Sequence, residues 1–258
     1  MPKFAANLSM MFNEWGFLDR FDAAADAGFE YVEYLFPYDF PADEIAKKLE
    51  KNKLTQALFN LPPGDWAKGD RGIAAIGARY DEFKAGLAKA LTYAKATKVK
   101  RLHLMAGNAP AADAGAKAAY EKALAETATF FGPHGIDIVI EPINKRDMPA
   151  YFLNDYPYAV ALIERLKLPN LKLQYDFYHR AILHGDVIMG FRQLLPIVGH
   201  VQIASVPGRN EPDGEELNYP YIFAEMDKLG YAGFVGLEYK PRGKTLDGLA
   251  WFAPYKRK

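Results

Sequence analysis

Short β-type runs alternate with longer stretches of helical composition along the whole chain, and this alternation constrains the fold more than any other feature. The β-type runs are FAANLS (residues 4–9), YVEYLF (31–36), LTQALFN (54–60), RLHLMAG (101–107), IDIVIEPI (136–143), LKLQYDF (171–177), HVQIASV (200–206) and FVGLEYK (234–240). Between them, residues 17–27, 43–50, 73–97, 117–131, 158–166, 187–195 and 221–229 are rich in Ala, Leu, Lys and Glu or carry an apolar stripe, and several stop at Gly or Pro. Parallel strands cannot be joined by a tight turn and need such crossovers. Eight units in 258 residues average about 32 each, the spacing of a (β/α)8 barrel of ordinary size. The expected fold is α/β, one TIM-barrel domain over residues 1–258. Only residues 245–252 remain for a short last helix, and the connection over residues 61–72 (LPPGDWAKGDRG) is the one clear loop insertion, a candidate lid.

Composition narrows the function. Lys+Arg and Asp+Glu both number 32, so the basic surplus a nucleic-acid partner needs is missing. There is no cysteine, which removes disulfides, thiolate nucleophiles and Cys-held metals. Asn7, Asn13 and Glu14 interrupt the start of the chain, and no run approaches the roughly 18 apolar residues of a membrane span. The expectation is a soluble cytoplasmic protein with no membrane partner.

Residues two apart on a strand share a side, so a polar residue closing the inward series of a barrel strand points into the mouth. In DIVIEP the isoleucines suit the outer side and Glu141 ends the inward series; in LKLQYD that place belongs to Asp176. Gln202 in VQI and Glu238 in LEY likewise sit between apolar neighbours. Taken singly, each is an ordinary strand-end polar group. On four consecutive strands about 4.8 Å apart, they can converge on one ion. Two Glu, one Asp and one amide oxygen form a hard donor set, favouring Mg²⁺ or Mn²⁺ over zinc or copper.

The stretches IEPINKRDMP, LQYDFYH, GHVQIASVPGRNEPDG and GLEYKP, with FAANLSMMFNE, FPYDFP, LTQALFNLPPGDW and LHLMAGN, resemble the hydroxypyruvate isomerase family over nearly the whole chain. That family belongs to the xylose-isomerase-like barrels and is close to the 2-oxo-tetronate isomerases. The resemblance implies that Glu141 and Glu238 are the proton donor and acceptor, with Asp176 and Gln202 completing a metal site. The implied activity interconverts hydroxypyruvate and tartronate semialdehyde through an enediolate, with a small hydroxy or oxo acid as partner. A divalent ion would stabilise the enediolate, although two glutamates can also work without one.

Around this centre, Arg209 beyond the seventh run is the candidate for the substrate carboxylate. His103 and His179 are candidates to donate to substrate oxygens, and Asn60 and Trp66 to close the pocket. A 2-oxo-tetronate isomerase, a sugar epimerase, a repair nuclease and a barrel that only binds a small acid are the competing readings. Gln202 in place of a histidine disfavours the epimerase, and five histidines without a basic groove disfavour the nuclease.

Overall fold

Each of the eight β-type runs contributes a strand to the computed structural model, which describes residues 2–256. The strands are β1 (Lys3–Asn7), β2 (Tyr31–Glu33), β3 (Thr55–Asn60), β4 (Arg101–His103), β5 (Asp137–Ile140), β6 (Leu171–Asp176), β7 (Val198–Ile203) and β8 (Phe234–Leu237). Each pairs in parallel with the next, and β8 pairs with β1 from Lys3↔Phe234 to Ala6↔Leu237, closing the barrel. The helices are α1 (Arg20–Asp26), α2 (Ala42–Lys51), α3 (Tyr80–Thr97), α4 (Ala114–Phe131), α5 (Tyr156–Leu166), α6 (Phe177–His184), α7 (Val187–Leu194) and α8 (Tyr219–Lys228).

Local chemistry explains the helix limits. In α2, Ile45 and Leu49 are one turn apart and buried, with Asp43 and Glu44 in the first turn and Lys48 and Lys51 in the last, charges that complement the helix dipole. Asp113 and Asp155 cap α4 and α5, each accepting a backbone N–H three residues on. The main core lies between the outward strand faces and the helices, while the barrel interior is strongly polar: Asn7, Glu33, His103, Gln174, His200 and Gln202 are all buried there. After β8 the chain forms a 3-10 helix, Thr245–Tyr255, whose Phe252 stacks on Phe29 with ring centroids 4.4 Å apart.

Two stretches differ from expectation. The expected helix over 73–97 starts as α helix only at Tyr80, because residues 72–75 are drawn into backbone pairing with Ala106. The sixth strand ends at Asp176 rather than Phe177, and α6 follows without a loop because Asp176 is itself the cap, its Oδ1 accepting Tyr178 N–H at 2.7 Å.

Candidate active site

Three carboxyls from the C-terminal ends of three strands meet at one end of the barrel. Glu141 follows β5, Asp176 ends β6 and Glu238 follows β8; one ligand atom from each, and one from His179 in the first turn of α6, all lie within 4.8 Å of one another. All four are buried. Asp176 is divided between two tasks: Oδ1 caps α6, while Oδ2 is buried without a hydrogen-bond partner. Glu141 Oε1 is likewise buried and unpartnered. Unpaired buried oxygens are costly, and two of them in one acidic group fit a bound cation.

The electrostatics follow from burial. Desolvation, then repulsion from Glu238 and Asp176, pushes Glu141 well above the usual carboxylate range. Burial pushes Glu238 up to about 7 although Arg209 pulls it down. Asp176 is pushed up to about 6 by burial, against the attraction of Arg209 and the N–H groups at the start of α6.

Arg209 is not a solvated loop residue. Its Nη2 donates to Glu238 Oε2 at 2.7 Å and its Nη1 to Asp147 Oδ2 at 2.9 Å, with the guanidinium 5.0 Å from the Tyr178 ring centroid. The backbone there has φ 56°, held by Arg209 N–H to Ser205 O and by Lys240 N–H to Arg209 O. A left-handed non-glycine residue fixed on both sides is a strained element kept in place by its surroundings.

His179 is held in one tautomer. Asn144 Oδ1 accepts Asp147 N–H at 3.0 Å, which turns Asn144 Nδ2 toward His179 Nδ1 at 2.7 Å; Asn144 N–H also points there, at 3.3 Å. Nδ1 is therefore the acceptor and the proton sits on Nε2, 3.7 Å from Asp176 Oδ2. Burial holds the ring neutral, its pKa well below the ordinary value. So arranged, Nε2 is a donor rather than a ligand, and the three carboxyls remain the natural cation donors.

The other expected residues are more dispersed. Gln202 is the register partner of Asp176 across β6 and β7, but its Nε2 donates to Glu33 and its Oε1 accepts from Gln174 Nε2 at 2.6 Å. Asn60 and His103 are register partners at the ends of β3 and β4. Both are buried, with Asn60 Oδ1 and His103 Nε2 unpartnered, and burial pushes the His103 pKa down to about 3. Trp66 packs on Phe36 at 5.0 Å and under Arg71 at 3.9 Å, beside a cavity of about 640 Å³ that Ser9, Tyr38 and Lys89 also line; neither partner belongs to the acidic group. Asp147, Asn144, Gln174 and Glu33 are absent from the sequence-based set. Glu33 carries the same signal as Gln202, a polar residue between Val32 and Tyr34 in an apolar strand.

Comparison with known proteins agrees with this architecture. Residues 21–255 match a family model described as xylose isomerase-like TIM barrel. A 2-oxo-tetronate isomerase from Cupriavidus necator is 51% identical over 99% of both chains, and a hydroxypyruvate isomerase from Escherichia coli is 42% identical over 99% of this chain and 100% of its own. A crystal structure named AP endonuclease, family 2, from Brucella melitensis superposes with a TM-score of 0.97 at 50% identity, covering all of both chains.

Proposed function

The chain belongs to the xylose isomerase-like TIM barrels, in the hydroxypyruvate isomerase family, and is an isomerase; from that premise we propose that it moves a carbonyl between C2 and C3 of a short hydroxy-oxo acid, hydroxypyruvate to tartronate semialdehyde being the three-carbon case. The observation carrying this reading is the convergence of Glu141 and Glu238, two buried carboxyls with raised pKa values, beside Asp176.

Shifting the carbonyl takes a proton from one carbon and gives one to its neighbour through an enediolate, so one group must serve as base and then as acid. A carboxyl with its pKa near neutrality does both. One of the two glutamates removes the carbon-bound proton and returns it on the same face of the enediolate. The other holds the proton that passes between O2 and O3. His179 donates its Nε2–H to a substrate oxygen, and Arg209, whose Nε is buried without a partner, takes the substrate carboxylate. Asn60 and His103 meet the remaining substrate oxygens.

Glu141, Asp176 and Glu238, with the Gln202 oxygen, are the residues that would hold Mg²⁺ or Mn²⁺. Such an ion supplies positive charge against the negative charge that develops on the enediolate.

The 51% identity to a 2-oxo-tetronate isomerase favours a second substrate, in which C3 carries a hydroxymethyl group instead of hydrogen. The transfer between C2 and C3 is the same in both cases. The name of the Brucella melitensis structure points instead to phosphodiester cleavage. A site of three carboxyls with one imidazole held as a donor, on a chain with no net charge, suits an enediolate better than a phosphate backbone.

Side-by-side turnover of hydroxypyruvate and both 2-oxo-tetronate enantiomers in D₂O tests the proposal. Deuterium should enter C3 of at least one recovered substrate, and absence of exchange into all three would falsify it.

A further inference from the structure

A fourth carboxylate lies next to the acidic group, and the proposed reaction does not use it. Glu33, at the end of β2, is fully buried. Its Oε1 accepts from Asn7 Nδ2 at 3.0 Å and from Gln202 Nε2 at 2.8 Å, and its Oε2 faces His200 Nε2 at 2.7 Å. Asn7 is aimed independently, because its own Oδ1 accepts Ser9 N–H. Gln202 is not. The two ends of an amide have nearly the same shape, so its hydrogen-bond partners decide which end faces which way.

A carboxylate only accepts, so Glu33 obliges Gln202 to turn its NH₂ inward and its oxygen away. That oxygen meets Gln174 Nε2 at 2.6 Å, and Gln174 is also the side chain whose hydrogen bond draws down the pKa of Glu141. The Gln202 oxygen is thus turned toward β6, the strand that carries both Gln174 and Asp176, the register partner of Gln202. The β8 backbone is shaped for this arrangement. Gly236 is the register partner of Gln202, and a Cβ on it would collide with both carboxylate oxygens of Glu33.

We propose that Glu33 is a positioning residue that locks the Gln202 amide oxygen-first, so that Gln202 serves a divalent cation as a ligand rather than opposing it with N–H groups. The proposal rests on the reading that a cation sits among Glu141, Asp176, Gln202 and Glu238. Partners that orient a metal ligand matter almost as much as the ligand.

The test is Mn²⁺ titration of the metal-stripped protein, followed by electron paramagnetic resonance, with circular dichroism and thermal melts alongside. Wild type should bind. E33Q and G236A, still folded, should weaken binding by about 10- to 100-fold; G236A displaces the Glu33 carboxylate while removing no polar group, and decides the matter if E33Q unfolds. The pair E33Q/Q202E should recover affinity over E33Q alone, because a carboxylate at position 202 offers oxygen whichever way it turns and the amide at position 33 can donate to it. A merely structural Glu33 would lower the melting temperature without moving the affinity of the folded protein. Wild-type affinity in folded G236A, or a pair no better than E33Q, overturns the proposal. A wild type that ignores Mn²⁺ overturns the cation reading itself, and this proposal with it.

Discussion

Arg209 Nη2 lies 2.7 Å from Glu238 Oε2, placing a guanidinium from the loop after β7 in direct contact with a carboxyl of the acidic group. The contact gives a pH effect a definite sign. Burial lifts Glu238 to about 7, and Arg209 acts against that lift. In R209Q the opposing charge is gone, so Glu238 takes up its proton at higher pH and is lost as a base sooner on acidification. The acid limb of the kcat/KM profile should move upward by about one pH unit, which corresponds to about 1.4 kcal/mol of lost attraction. A limb that stays in place or moves down would assign it to another group.

Glu141 and Glu238 are expected to be separately indispensable. E141Q and E238Q each keep shape and hydrogen-bonding reach but cannot cycle a proton, and a positioned acid–base group contributes about 10²–10⁴-fold. Turnover should fall by that order in both. Deuterium exchange at carbon separates their roles: the variant lacking the carbon base loses exchange with turnover, while the other retains some exchange. Turnover within a few-fold of wild type in either variant removes that glutamate from the chemistry.

Cation binding should release protons. Burial holds Glu141 well above the usual carboxylate range and Glu238 at about 7, so near neutral pH the cation-free group retains protons that a ligating carboxylate must shed. Mn²⁺ affinity should therefore rise with pH between about 6 and 8. Calorimetry in buffers of different ionisation enthalpy should show net proton release at pH 7. Affinity that is flat over this range would mean that the carboxyls are already ionised.

The barrel was legible because strand periodicity and crossover helices are local properties of the chain. Asp176 and Glu141 were legible for the same reason, as polar residues closing an inward series. What local pattern could not carry is anything made by two loops meeting. The Asp147–Arg209 pair joins residues 62 positions apart, and the tautomer of His179 depends on Asn144, 35 positions away. The direct passage from β6 to α6 is not legible in the sequence, because strand alternation marks Asp176 only as a polar strand end and carries no sign of its second task, capping. Glu33 was within reach: alternation applied to β1 and β2, as to β5–β8, singles out Asn7 and Glu33.

The connection over residues 61–72, expected as a lid, is fastened, and Gly72 is a fastening point. Its φ is 96°, its N–H donates to Pro63 O at 2.9 Å, and it bridges to Ala106. Nearby, Asp70 Oδ2 pairs with Arg79 Nη1 at 2.6 Å. A Cβ at Gly72 would collide with the Met105 backbone carbonyl, whereas a Cβ at Gly69, with φ 99°, would meet nothing within 4 Å. Both G69A and G72A carry the left-handed penalty of about 1 kcal/mol, but only G72A adds the collision. In a chain of this size each kcal/mol shifts Tm by about 2–4 °C, so G72A should melt several degrees below G69A. It should also be cut faster by protease within residues 61–72, because the loop can relieve the collision only by lifting off Met105. Equal melting and equal cleavage of the two variants would show that the loop yields there without resistance.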